Sequence, residues 1–327
     1  MKKKSNFKFL HDFDLLGKEP GLYYKEKEKI NTYFGSLISI IYMIIYLIFF
    51  IYKLIRMLKR KDVTFYDAIE YLEAPPSIQL TNDIFYGGFA VENPITYDPF
   101  IDETIYYPKA YFKKVIRNGD KWIFEIKEIE LERCNVKKFG KSFREIFQAK
   151  NVSNLYCFEE MNVTFSGHFS YDMYSFFYVQ FFPCINNTQN NNHCKSREEI
   201  DFYLNNTFVC FEMEDVELTP KNYSYPVRGR NQDIYFTIGK KLFQEVHIFY
   251  QLINIETDLD ILGFEEFKYI KKQQFLKYYS EIQMTNLIEN NIHDTGEAFS
   301  SVTIKLYDEI RIQKRTYKKI FEILSEV

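Results

Sequence analysis

Glycine, proline and histidine are scarce in this sequence, and none of its cysteines are closely paired. Its 327 residues include 12 glycines, and none forms a phosphate-binding loop: Gly87-Gly88 has neither the spacing nor the lysine. The five histidines, His11, His168, His193, His247 and His293, are isolated, with no HxxxH or HExxH pattern. A GxSxG elbow is also missing. No two cysteines form a CxxC pair, so a zinc site is not expected. The net charge of −3 gives no electrostatic reason to expect nucleic acid as a partner. Two acidic clusters, Glu212, Glu214, Asp215 and Glu217, and Asp258, Asp260, Glu265 and Glu266, have calcium-compatible ligands. Glu212 and Glu214 share a strand face, however, and read as a solvated sheet face. The expectation is a protein that is not an enzyme and carries no metal or cofactor.

One long uncharged run dominates what is present. Residues 30–52, INTYFGSLISIIYMIIYLIFFIY, hold 23 residues without a charge between Lys29 and Lys53. As a helix they extend roughly 35 Å, enough to cross a hydrocarbon core of about 30 Å with some tilt. In lipid a lone segment satisfies its backbone only as a helix. Tyr33 and Tyr52 suit the two interfaces. The run lies too far from the start, and is too long, for a cleaved signal peptide, and it reads as an uncleaved signal anchor. KLIRMLKRKD carries the helix a turn or two out of the bilayer, and its basic side chains can snorkel toward phosphates.

Charge alone does not orient this span. Residues 1–29 carry eight lysines and five acidic residues, whereas Lys53, Arg56, Lys59, Arg60 and Lys61 crowd the other flank. Cysteines and sequons do orient it. Cys134, Cys157, Cys184, Cys194 and Cys210 all follow the span. So do the acceptor triplets at Asn151, Asn162, Asn186, Asn205 and Asn222, and none precedes it. Their coincidence predicts a lumenal or extracellular C-terminal domain, in the secretory pathway or at the plasma membrane. Two disulfides and one leftover thiol are then expected. Connectivity does not follow from sequence, although Cys184 and Cys194 bracket a polar loop and could close it.

The resulting domain order is a cytosolic tail (1–29), a transmembrane helix (30–55), a basic exit and linker (56–76), a β-rich ectodomain (77–313) and a C-terminal amphipathic helix (314–327). The ectodomain is mainly β, sandwich-like, with some α. YFKKVIR and DKWIFEIKEIEL flank Asn118-Gly119, a hairpin signature, because Asn-Gly accepts the positive φ of a type I′ turn. YSFFYVQFFPC reads as a central strand, and Ser196-Arg-Glu-Glu199 as a capping box opening a short helix. Residues 302–312 alternate as a half-buried strand, and Tyr317, Ile320, Phe321 and Leu324 then fall on one helical face. Residues 258–296 read as mixed and polar. Phe and Tyr are frequent, at 33 and 27 copies. A/T-rich codon usage explains that more simply than an aromatic binding surface does.

This order of features resembles a family of transmembrane proteins from ciliated protozoa. The residues that carry the likeness are the boundary Tyr33-Phe34-Gly35-Ser36, the basic exit KLIRMLKRKD, the Cys-containing aromatic domain, and a final strand running into RTYKKIFEIL. The resemblance implies no established activity. By topology the chain also resembles two-pass families, the trimeric sodium and acid-sensing channels and the cargo receptors cycling between endoplasmic reticulum and Golgi. Those continue through a Gly-Gly stretch into a second membrane helix. The functional expectation is a membrane protein with a glycosylated, disulfide-bearing ectodomain that binds a partner or has a structural role. The alternative is a truncated subunit of a two-pass channel or cargo-receptor-like protein. Expected partners are the lipid bilayer and a protein or glycan, with homo-oligomerisation possible and no nucleic acid.

Overall fold

A run of Ile, Leu, Phe and Tyr interrupted before Lys53 only by Gly35, Ser36, Ser39 and Met43 has no charged stripe to turn toward water, and in the structure it is one helix. The computed structural model describes residues 33–326 except 75, 83, 139–143, 145–146, 149–151, 187–193, 263 and 265–268. Helix α1 (Tyr33–Leu58) is long and apolar enough to cross a membrane, and almost all of its side chains are uncovered by protein. The expected start at residue 30 lies outside the described residues.

The chain divides into two units, residues 1–64, 258–270 and 316–327, and residues 65–257 and 271–315. The first holds α1 and the C-terminal helix (α3, Ile320–Glu326). The second is mostly β, in the order β1 (Val63–Tyr71), β2 (Ser77–Thr81), β3 (Gly87–Glu92), β4 (Pro99–Phe100), β5 (Tyr106–Asn118), β6 (Lys121–Ile129), β7 (Leu131–Arg133), β8 (Tyr156–Phe158), β9 (Asn162–Ser166), β10 (Met173–Pro183), helix α2 (Arg197–Leu204), β11 (Thr207–Leu218), β12 (Val227–Ile238), β13 (Leu242–Asp258), β14 (Ile270–Leu287) and β15 (Ser300–Tyr317).

Among the described residues these strands form two large sheets. One runs β14-β13-β15-β10-β5-β6, with β1 added alongside β15; the other runs β12-β11-β3-β8-β7, with β4 on β3. β2 and β9 pair separately. β13 and β15 are parallel, whereas β15, β10, β5 and β6 pair antiparallel in turn. The core lies between the two sheets. One sheet contributes Phe112, Phe177, Val246 and Ile304 to it, and the other Phe89, Phe211 and Ile234. Phe89 of β3 meets Phe181 of β10 edge-on, with ring centroids 5.8 Å apart. Side chains of that size stabilise by about 1.5–3 kcal/mol each when fully buried. β10 is central because alternate residues, Phe177, Val179 and Phe181, are fully buried on the core side.

Local chemistry sets the connections. Asn118-Gly119 turns β5 into β6, with Gly119 at φ +63°. Ser196 caps α2 by accepting from the Glu199 amide while the Glu199 side chain returns to the Ser196 amide.

Three boundaries differ from expectation. Residues 63–71, expected as linker, form β1, held on β15 by Arg311 clasping Asp67 and by the Tyr71 hydroxyl bonding Glu309. β14 occupies 18 residues of the stretch expected to be mixed and polar. It is an edge strand with mostly exposed side chains, so it carries little apolar alternation. The expected helix over 314–327 starts only at Ile320, because β15 stays in register with β13 as far as Arg315 opposite Thr257.

Candidate binding face

Alternation along β5 puts Ala110 and Phe112 into the core and turns Lys109, Tyr111 and Lys113 the other way. The neighbouring strands repeat this. The registers therefore place Phe249, Lys305, Phe176, Lys113 and Ile126 in one row across β13, β15, β10, β5 and β6. The adjacent row is His247, Thr303, Tyr178, Tyr111 and Glu128. The outer face of this sheet is thus a chequer of rings and cations.

The cations sit on the rings. The Lys113 ammonium lies 4.1 Å from the Tyr178 ring centroid, and that of Lys305 4.9 Å from Phe249. Lys109 lies 5.9 and 5.8 Å from the Tyr107 and Phe182 rings, which stack at 5.5 Å. Tyr174 stacks on Phe176 at 6.1 Å. Such contacts are worth about 0.5–2 kcal/mol according to desolvation, and they hold flexible lysines in place.

Lys305 also reaches His247, 3.0 Å from Nζ to Nδ1, and His247 Nε2 lies 3.0 Å from Glu245. Burial and the adjacent ammonium hold His247 below its ordinary range, so the neutral ring accepts from Lys305 and donates through Nε2 to the carboxylate. Burial also lowers Lys305 and Lys113. Lys113 and Lys109 have no carboxylate partner among the described residues. Phe249 and Thr303 are themselves buried, and it is the half-buried Phe176, Tyr178, Tyr111 and Lys113 that can stack on ligand rings and neutralise negative charge beside them.

The residues singled out from sequence lie elsewhere. Cys134 bonds Cys157, with Cα atoms 4.9 Å apart, and Cys184 bonds Cys194 at 5.6 Å. Cys210 is a buried thiol pointing at the Ala90 carbonyl, and burial pushes its pKa up. Asn162, Asn186 and Asn222 are exposed, and Asn205 is half-buried after α2. Asn151 lies outside the described residues. Glu212 and Glu214 are not solvated: they are 8% and 3% exposed, on a sheet whose outer side packs against Val152, Leu155 and Phe147. Among the described residues no three His, Cys, Asp or Glu side chains are grouped so as to hold a metal ion.

The residues of this candidate face were not identified from sequence. The available signal was that YSFFYVQFFP is aromatic at both parities. One parity fills the core, so the other needs a different explanation.

The model of the family described as "Uncharacterised 80 kDa protein N-terminal domain" matches residues 88–307, two-thirds of the chain. No curated protein matches the sequence. Among solved structures, the crystal structure of Erv41p aligns over 76% of this chain and 99% of that one, at 8% identity and a TM-score of 0.28. A likeness that small carries no argument about function.

Proposed function

The chain belongs to the family described as uncharacterised 80 kDa protein N-terminal domain, and we propose that it is a membrane-anchored binding protein rather than an enzyme. Its β domain faces the lumen or the exterior and meets a protein or glycan partner on the ring-and-cation face of the larger sheet. The observation that carries this reading is the row Phe249, Lys305, Phe176, Lys113 and Ile126, where aromatic and cationic side chains alternate across four strands and end on an exposed apolar one. Two disulfides support the orientation, because such bonds persist in oxidising compartments. The order of tail, span, basic exit and Cys-containing domain supports a ciliate-type membrane protein. The exposed sequon asparagines are the glycosylation sites of this reading.

A photo-crosslinking residue at Tyr178 tests it. The expected result is an adduct on intact membranes that Lys113→Glu removes and that a probe at the exposed loop residue Tyr225 does not form. Equal adducts from both positions would overturn the assignment of this face.

A second reading, a subunit of a two-pass channel or cargo-receptor-like protein, is favoured by the course of α3. Its start lies at Asp62, where the Lys318 amide meets the Asp62 carbonyl, and its end at Lys53, which pairs with Glu326 at 3.3 Å. The helix therefore runs back along α1.

A further inference from the structure

The first unit leaves a group of large apolar side chains uncovered. Leu58, Ile261, Leu262, Phe264, Phe321 and Leu324 are each between 42% and 62% exposed. They are not scattered. Phe264 meets Phe321 edge-on, with ring centroids 4.8 Å apart, and the Ile320 amide bonds the Ile261 carbonyl at 3.0 Å. Residues 258–262, Phe264 and α3 are thus one surface. The surface is also fixed in place. Lys319 pairs with Asp258 and Asp260 at 3.1 Å each, and Arg60 donates to the Leu259 carbonyl at 2.9 Å.

Depth follows from the contacts with α1. Lys53 is the first charge after the uncharged run, so it marks the edge of the hydrocarbon core. α3 is tied to α1 at Lys53 by Glu326 and to Asp62 by Lys318. Phe321 and Leu324 lie between these two levels. At about 1.5 Å per helical residue, both stand within roughly 10 Å of the hydrocarbon edge. Each headgroup layer is roughly 5–8 Å thick. Exposed Lys59 and Lys61 occupy the same zone, without an ion pair among the described residues.

We propose that α3, residues 258–262 and Phe264 form an interfacial platform, its apolar side chains lodged in the headgroup layer of the leaflet through which α1 leaves, with Lys59 and Lys61 against lipid phosphates. The occupant is the bilayer, because the patch is continuous with a helix that presents apolar side chains to lipid on all sides. An interfacial platform fixes the angle at which the chain leaves the membrane, which a single helix cannot do. The proposal rests on the reading of α1 as a span.

The test uses the full chain in phosphatidylcholine vesicles that carry bromine at shallow or deep acyl positions. Trp122 is the sole tryptophan, so Trp122→Phe gives a silent background. Phe321→Trp and Phe264→Trp report on the platform, and Tyr42→Trp on the span. Intact disulfides on a non-reducing gel identify folded variants, and either platform variant suffices alone. Expected is at least a twofold loss of emission at 321 and 264 with shallow bromine, a smaller loss with deep bromine, and the reverse order at 42. Quenching at 42 with none at 321 or 264 overturns the platform and leaves the span standing. Absence of quenching at 42 overturns the span, and the platform with it. A blue-shifted but unquenched emission at 321 means protein covers the patch, which also overturns the proposal.

Discussion

The Cys134 sulfur lies 2.7 Å from where a Cβ on Gly88 would stand, and the Leu155 Cβ lies 2.8 Å from the same point. Neither neighbour is a free side-chain end: the sulfur is tied to Cys157, and Cβ atoms do not move without backbone. Gly88→Ala therefore forces β3 away from the disulfide, at about 1–3 kcal/mol. At Gly119 nothing lies within 4 Å, and only its φ of +63° resists a side chain. Gly119→Asn, which tolerates that conformation, should be nearly neutral. Thermal melts of the two variants compare a packing clash with a conformational preference, and equal losses would contradict this account of Gly88.

The two disulfides close loops of different size, with sequence separations of 23 and 10. On the chain-entropy account the larger loop stabilises by roughly 3.4 kcal/mol and the smaller by roughly 2.7. Replacing Cys134 and Cys157 together by Ser should lower the urea midpoint more than replacing Cys184 and Cys194. Cys210 offers a control. It is 1% exposed and its thiol is held protonated by burial, so it should resist iodoacetamide until the domain unfolds. Rapid labelling of the native protein would show that β11 is less covered than its burial indicates.

These devices were legible to different degrees, and the difference has a physical cause. The Asn118-Gly119 hairpin, the Ser196 capping box and the strand character of β10 are local, set by residues within a few positions of each other. β1 and β14 were not legible. They lie at the side or edge of a sheet with most side chains in solvent, so neither shows the alternation that burial imposes. The proposed face was legible only within strands. Lys109, Tyr111 and Lys113 alternate visibly in β5, but the neighbours of Lys113 are Phe176 and Ile126, and Lys305 and Phe249 lie beyond them. Nothing local announces a parallel pairing such as β13 with β15.

Acid should weaken the domain before its carboxylates protonate. Burial is the first cause that lowers each of His168, His247 and His293 below the ordinary value near 6.5. Between that value and the folded one, the unfolded chain binds more protons, so stability rises with pH. The contribution is complete above about 6.5 and is lost as pH falls through this window. Glu92, raised by burial above 4.5, opposes it with one group against three. Two sites show the cause directly: a protonated His247 would face the Lys305 ammonium 3.0 Å away, and His293 is fully buried beside Asp201. Urea midpoints at pH 7.5 and 5.5 should differ, the lower pH being weaker, and His247→Gln should reduce the difference. A midpoint that rises on acidification would reverse the assignment.

Sequon geometry makes the orientation testable at single residues. Asn162, Asn186 and Asn222 are exposed and use Oδ1 as an acceptor, from Gln79, from the Cys194 amide and from the Ser224 and Tyr225 amides respectively. A glycan attaches through the other side-chain atom, Nδ2, so these bonds do not compete with it. Arg315 further steadies the Asn222 backbone, donating to its carbonyl at 2.7 Å from a site 1% exposed. Asn205 is different: it ends α2, is half-buried, and its Oδ1 faces the Lys240 amide at 3.4 Å. With the β domain in the lumen, Asn162→Gln, Asn186→Gln and Asn222→Gln should each remove one glycosidase-sensitive mobility step, and Asn205→Gln none. Arg315→Ala should destabilise by about 1.5–3 kcal/mol, since the Pro220 and Asn222 carbonyls and the Thr257 hydroxyl lose a charged donor. Wild-type mobility unchanged by glycosidase would place the domain on the cytosolic side, and the disulfides would then need an explanation other than compartment.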